Sequence, residues 1–521
     1  VDIQKQRAIF EGVLVFAVTI FFGFAISFLG ALALKFQIAF AAGFFALLAI
    51  CLFPARRTLC LCLWVLIYPL SIEKILYTAP PLWPSLRGME IVLNAGDVIL
   101  FILFVVLVVE KITLRQTLLI WDNKAKILTG LVVWAIFSHL FHVLFYHSSF
   151  VESGQLGVLH LLRNLLFVMI IGAAMKTRAD LIWVMITIIF VLIIQSILVS
   201  LSFATGEAFN FSRLLGLPTA LQKYSVGGEQ IARGAGTLGV PNQQAMFHAM
   251  FTFLMLGLLP AKNALIRLLA IIAILASLVS VIFTFSRSAW FGIGVATMII
   301  VCLFIKRREI TPKAWLMGGL LAIFFVSVLG VLAEPIINRL TQGDDGATDS
   351  RVRMIQLAKD LIVQYPLIGV GPSEFVEAGL HLYPPGQKET EWVPLGGKAI
   401  VPPLGRIELS TSIIGNEKPV IVPLPVHNKY LLVFSELGLV GLMIWLALFK
   451  NFYSEAVMCS QSKDLLFRYI GVAGIGIVVI GLLYQMLDLF ADDKTLQVLL
   501  FPLIFISSAA RLSKQSAIIN H

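Results

Sequence analysis

The chain has 521 residues, of which 59% are hydrophobic and 13% charged, with a mean hydropathy of +0.94. Water cannot solvate such a surface, so a soluble globular protein is excluded and the bilayer must act as solvent. The formal net charge of +10 points to anionic lipid headgroups and away from nucleic acid, because no soluble stretch combines clustered basic and aromatic residues.

Apolar runs of about 17–25 residues mark helices that cross a membrane. They fall near 10–29, 33–53, 58–72, 94–110, 127–146, 155–175, 181–203, 242–260, 264–284, 289–305, 314–333, 428–449, 467–487 and 496–510. The expected fold is an all-α integral membrane protein with about 12–14 transmembrane helices. Ala31-Leu32-Ala33 resembles a signal-peptide cleavage site, but the apolar run before it is longer than the roughly 7–15 residues such a peptide uses.

Lys and Arg recur at every second boundary: Arg56-Arg57, Lys111 to Lys126, Lys176 and Arg178, Lys262 and Arg267, Lys306-Arg307-Arg308, Lys450 to Arg468, and Arg511 with Lys514. Basic short loops stay in the cytoplasm, so both termini are expected there. The opposite, periplasmic side then receives two longer segments, about 204–241 and 335–427. The chain divides accordingly into an N-terminal bundle (1–241), central helices (242–334), the large external loop (335–427) and C-terminal helices (428–521). Cys51, Cys60, Cys62, Cys302 and Cys459 all fall at the cytoplasmic side, which implies no disulfide framework.

The first external segment ends in Gly239-Val240-Pro241-Asn242, where Pro241 suits the first turn of the next helix. In the second, Val352, Ile355, Ala358, Ile362 and Tyr365 recur at helical spacing, so a short amphipathic helix is expected over 350–365. Asp349 or Ser350 would cap it, and Gly369 and Gly371-Pro372 would end it. Residues 380–425 are rich in proline and glycine and read as an irregular insertion. No internal repeat is visible, nor a pair of interrupted helices of the kind transporters use.

Charges are scarce here, so those on the external side stand out. Arg351 and Arg353 are expected in the first turn of the 350–365 helix, where cations are disfavoured unless an anion joins the free N–H groups. A diphosphate fits that arrangement, and a solvated helix with incidental arginines fits it too. His427 stands where loop meets span and could act as a general base, or simply anchor the interface. Asn428 beside it could orient the imidazole or a sugar. Arg287 occupies a tight turn between two spans on the side where arginines are least expected. Arg163 sits within a span, about 12 Å from its outer end at 1.5 Å per residue, and requires a cavity or a partner. Asn242, with Gln243 and Gln244, opens a span as a cap or as a sugar or phosphate contact. Asp488, Asp492 and Asp493 cluster at the last external turn, where solvation is the simpler reading than metal binding. No nucleotide-binding loop or metal-ligand pair is apparent.

Four segments together resemble the O-antigen ligase and polymerase superfamily of bacterial membrane glycosyltransferases. They are Gly236-Thr237-Leu238-Gly239-Val240-Pro241-Asn242; Phe285-Ser286-Arg287-Ser288-Ala289; Arg351 through Pro366-Leu367-Ile368-Gly369-Val370-Gly371-Pro372; and His427-Asn428-Lys429-Tyr430-Leu431 with Glu436-Leu437-Gly438-Leu439-Val440-Gly441. The resemblance spans about 230–445. It implies a donor glycan on undecaprenyl diphosphate, an acceptor on lipid A core, another glycan repeat or, in a related group, a protein hydroxyl, and neither metal nor other cofactor. By position it makes His427 the general base, with Arg351 and Arg287 on the diphosphate. Arg353, Arg163, Asn428 and Asn242 are further candidates for substrate contact. A secondary transporter or a non-catalytic polysaccharide-assembly protein would share the helix count. A transporter would gather its charges at the bilayer midplane, whereas these gather at the outer surface.

Overall fold

The computed structural model describes residues 55–78, 90–114, 119–145, 151–207, 209, 223–226, 229–307, 337, 347–382, 425–487 and 493–519. The protein is an all-α integral membrane protein. Its helices are α1 (Arg56–Ile67), α2 (Ala95–Leu114), α3 (Asn123–Phe145), α4 (Val151–Ala174), α5 (Arg178–Thr205), α6 (Pro241–Leu254), α7 (Ala264–Phe283) and α8 (Arg287–Lys306), followed by α9 (Ala347–Gln364), α10 (Phe375–Leu382), α11 (Lys429–Ser460), α12 (Leu465–Leu487) and α13 (Asp493–Ile519). Eight of these, α3, α4, α5, α7, α8, α11, α12 and α13, are long and apolar enough to cross a membrane. The expected runs at 10–29, 33–53 and 314–333, most of the 380–425 insertion, and Asp488 and Asp492 lie outside the described residues.

Local sequence sets where several helices begin. Thr177 and Asp180 form a reciprocal capping box at α5, Asn263 accepts from the Leu265 and Ile266 amides at α7, and Pro241 is the first residue of α6, as expected. Two short antiparallel hairpins were not foreseen: β1 (Glu73–Thr78) with β2 (Glu90–Asn94), and β3 (Lys223–Val226) with β4 (Glu229–Ala232). Both stand in connections between apolar runs, where hydropathy carries no signal.

The basic loops converge on one end of the bundle. Arg57 pairs with Glu110 and Asp180, Lys176 with Glu110, and Arg178 with Asp464. Arg307 donates to the Ser460 carbonyl and hydroxyl, and Arg511 to the Gly172 and Met175 carbonyls. The helix ends inferred from charge to share one side are thus tied to one another.

At the opposite end α9 and α10 pack on the first turns of α11 through a small apolar core of Met354, Leu357, Ala358, Leu361, Val370, Phe375, Val376, Val426 and Leu432. This corrects the expected helix in two ways. It starts at Ala347, so Asp349 and Ser350 lie inside it and Arg351 and Arg353 fall beyond its first turn. Its inward stripe centres on 354/357/358/361, with the expected Ala358 inside it and Ile355 and Tyr365 packed at its edge, while Val352 is 60% exposed. An apolar periodicity of few residues fits two neighbouring helix faces, and contact with α11 selected the other one.

Candidate functional site

The site is organised by a break in α11. The run 428–449 was expected as a plain span, but Gly438 adopts φ 67° and ψ −172° within it, a conformation essentially reserved for glycine. The break strands main-chain groups that lipid cannot satisfy. Leu439 N, which would donate to the Ser435 carbonyl in an unbroken helix, donates instead to the Pro366 carbonyl at 2.9 Å. The Ser435 and Glu436 carbonyls accept from Val370 N at 2.9 Å and Gly371 N at 2.8 Å, and the Leu437 carbonyl accepts from Trp134 Nε1 at 2.7 Å. The Glu436 carboxylate receives the Ser373 and Phe375 amides at the start of α10. Backbones touch: a Cβ on Gly438 would lie 2.1 Å from the Leu367 oxygen, and one on Gly369 2.3 Å from the Glu436 carbonyl. The two glycine-bearing motifs read separately in the sequence are the halves of one joint.

That joint sets α9 beside the start of α11 and brings Arg351 to His427. Desolvation, the nearby Arg351 guanidinium and a hydrogen bond with the Pro425 backbone act on the imidazole, and together they lower its pKa below the ordinary 6.5. It is therefore neutral at neutral pH. Its Nδ1 is buried and has no hydrogen-bond partner among the described residues. A neutral ring can take a proton from an acceptor hydroxyl, and the guanidinium beside it can offset negative charge on a leaving group. Arg351 is exposed. Arg353 lies on the same helix.

Asn428 has structural work. Its Oδ1 caps α11 by accepting from Leu431 N at 3.0 Å, and its Nδ2 donates to the Met486 carbonyl at 3.1 Å. Tyr430 adds a bond to the Leu482 carbonyl at 3.0 Å. The last turn of α12 thereby carries the His427 segment.

The same turn carries the Arg287 corner. Tyr484 donates to the Asn242 carbonyl at 2.7 Å, and its hydroxyl lies 3.1 Å from Ser286 Oγ. Phe285 is fully buried with φ 51°, a strained turn that sends Arg287, half-buried, into the first turn of α8. Arg233, buried just after β4, donates through Nε to the Thr284 carbonyl at 2.9 Å and through its other fork to Asn242 Oδ1 at 2.6 Å. Two arginines, Asn242 and Tyr484 so gather at the end of α12 that also holds Asn428. Arg163 is placed differently: it forms a two-point pair with Asp97 at the start of α2.

Two groups went unread in the sequence. Arg233 is an arginine on the sparsely charged side, and the argument used for Arg287 applies to it equally. The other group lies on α3, where Trp134, Ser138, His139 and His142 all meet the joint. Ser138 Oγ donates to the Ile368 carbonyl at 2.9 Å, His142 Nε2 to the Gly369 carbonyl at 2.5 Å, and His139 Nδ1 lies 2.9 Å from Glu374 Oε1. Polar residues at helical spacing inside an apolar span were the available signal. Burial raises Glu374 to about 7 against the pull of His139. Burial also raises Glu377, which accepts from Ser153 of α4. Among the described residues no three His, Cys, Asp or Glu side chains gather as metal ligands.

The fold and this polar end define a multi-pass membrane protein whose candidate site lies at one bundle end, where a broken helix, an amphipathic external helix and several arginines meet. Residues 271–446 match the family model described as O-Antigen ligase. That segment is similar to the O-antigen ligase domain, which supports the resemblance to the O-antigen ligase and polymerase superfamily. The family is one of glycosyltransferase-type enzymes working on lipid-linked glycans in a membrane setting. The match holds Arg287, Arg351, Arg353, His427 and the whole α11 joint; Arg233, Asn242 and the α3 residues precede it. No curated protein matches the chain.

Proposed function

We propose that this protein is an O-antigen ligase or polymerase-type transferase, moving a glycan from undecaprenyl diphosphate to an acceptor hydroxyl on lipid A core or another glycan repeat. The basic end faces the cytoplasm and the site faces the periplasm at the inner membrane, following the Lys/Arg bias of the short loops. The observation that carries the reading is the neutral His427 beside Arg351, its Nδ1 without a hydrogen-bond partner among the described residues.

In the step proposed, the acceptor O–H gives its proton to the His427 imidazole while its oxygen bonds to the anomeric carbon. The bond from that carbon to the diphosphate oxygen breaks, and the lipid diphosphate leaves with the electron pair. Attack from the opposite face inverts the anomeric centre, and neither metal nor cofactor takes part. Arg351, Arg287 and Arg233 stabilise the departing charge as fixed cations in a partly dry site. Arg353, on the same helix as Arg351, and Asn242 are further candidates for substrate contact; Asn428 serves through its cap on α11, and Arg163 through Asp97.

A transporter would use a broken helix to line its cavity. Here the main-chain groups released at Gly438 are taken up by the protein's own loop and Trp134, which favours transfer over transport. The test is His427→Ala and Arg351→Ala in membranes at matched protein level. Loss of surface glycan with accumulation of the lipid-linked donor supports transfer. Long undelivered chains indicate a ligase and single repeats a polymerase, and unchanged glycan in both variants refutes the assignment.

A further inference from the structure

An apolar span gains nothing from two histidines and a serine unless they are used, because each buried polar group must find a partner. On α3 they line one flank and all point at residues 366–374. His139 and Glu374 are 6% and 1% exposed, and the space around them leaves no slack. A Cβ on Gly154 of α4 would lie 2.0 Å from His139 Nδ1 and 2.3 Å from Glu374 Oε1, and one on Gly157 would lie 2.6 Å from the Pro372 oxygen. Ser153 of α4 holds Glu377 one turn further along α10. The outer ends of α3 and α4 therefore form a socket, and the 366–374 loop with α10 is the plug. The plug belongs to the matched segment; the socket lies wholly before it.

We propose that His139 and Glu374 are positioning residues of the transfer site: their buried pair seats α9 and α10 on the bundle and, through the α11 joint, holds Arg351 against His427. This rests on the transferase reading for its consequence, though not for the seating itself. The chain of contact is continuous. Glu374 lies between the Gly371 amide, bonded to the Glu436 carbonyl, and Phe375, whose amide is bonded to the Glu436 carboxylate. Phe375 shares its core with Met354 of α9 and with Val426, next to His427. Loosening the socket lets the arginine helix move while the eight candidate spans keep their packing.

The test uses the full chain in lipid nanodiscs, with His139→Gln, Glu374→Gln, Gly154→Ala and the reversed pair His139→Glu/Glu374→His. Two readouts need no activity: amide exchange over 366–382, and the titration of His427 followed in histidine-labelled protein. In the three disrupting variants exchange should rise about ten-fold or more, the scale of a buried bond left half-made. The His427 titration should move to higher pH as Arg351 withdraws, and kcat should fall more than KM rises. The reversed pair should restore protection in part. Wild-type exchange in all three disrupting variants overturns the proposal. Faster exchange with an unmoved His427 titration and unchanged kcat makes the pair merely structural and also overturns it. Lost transfer with unchanged exchange and titration places His139 in the chemistry instead, against the proposal. If the wild-type protein transfers no glycan, the transferase reading fails by itself, and exchange and titration still decide whether the pair seats Arg351 at His427.

Discussion

Gly438→Ala isolates the joint. A side chain at φ 67°, ψ −172° costs about 1–3 kcal/mol from conformation alone. Its Cβ would stand 2.1 Å from the Leu367 oxygen and 2.2 Å from its carbonyl carbon. Those atoms are backbone and must move. Displacement breaks three inter-segment hydrogen bonds, Leu439 N to Pro366 O, Val370 N to Ser435 O and Gly371 N to Glu436 O. A buried main-chain group left unpaired costs about 1–3 kcal/mol, so even one unrecovered bond brings the total to about 2–6 kcal/mol. That cost falls on the contact between the 366–371 loop and α11 and not on the packing of the spans. The expected outcome is an undocked loop on a folded bundle, read as protease cleavage within 366–374 in nanodiscs at least about ten-fold faster than wild type. Gly294→Ala is the matched control, since a Cβ there meets nothing within 4 Å; it should be neutral or stabilise α8 by about 0.5–1 kcal/mol. Wild-type cleavage and thermal midpoint in Gly438→Ala would refute the reasoning.

Three other outcomes follow from the same geometry. Glu374 titrates near 7 in the folded protein against an ordinary 4.5, so folding favours its protonated form. Its stabilising contribution is complete below about pH 4.5 and is lost as pH rises through about 7, a span of about 3 kcal/mol; Glu374→Gln should flatten the fall of the thermal midpoint across that window, and an unchanged slope contradicts the assignment. Arg163→Gln and Asp97→Asn should be strongly non-additive in a double-mutant cycle of thermal stability, with a coupling of about 1–3 kcal/mol. Additive losses would mean that the pair does not couple α4 to α2. Arg233→Gln should lower transfer by about a hundred-fold, and Arg233→Lys should fail to rescue it, because one ammonium cannot reproduce the fork to Thr284 and Asn242; full activity of the lysine variant removes Arg233 from the site.

Much of the fold was legible because lipid imposes a simple code. Each described run near 127–146, 155–175, 181–203, 264–284, 289–305, 467–487 and 496–510 has its helix, since length and apolarity are what a span requires. The site was only partly legible. Arg351 and His427 could be singled out as polar residues on a poor side for charge, and the structure brings them together. The joint between Pro366–Gly371 and Glu436–Gly438 could not be read, because its bonds are main-chain and leave only glycines as a trace. The face of α9 is offset from the expected one: Ala358 and Ile355 do meet the core, but Met354 and Leu357 form its centre and Val352 is exposed. His139 was passed over because its partner, Glu374, is 235 residues away and only the folded chain brings the two together.

The most direct measurement is the rate of glycan transfer against pH in proteoliposomes, with lipid-linked donor, for the wild type, His427→Ala and Arg351→Ala. A general base at His427 predicts a wild-type acid limb below the ordinary imidazole value of 6.5. The limb should be absent with near-complete loss of rate in His427→Ala, and shifted to higher pH in the weakened Arg351→Ala enzyme. A His427→Ala protein that transfers glycan at the wild-type rate with the same acid limb would contradict it.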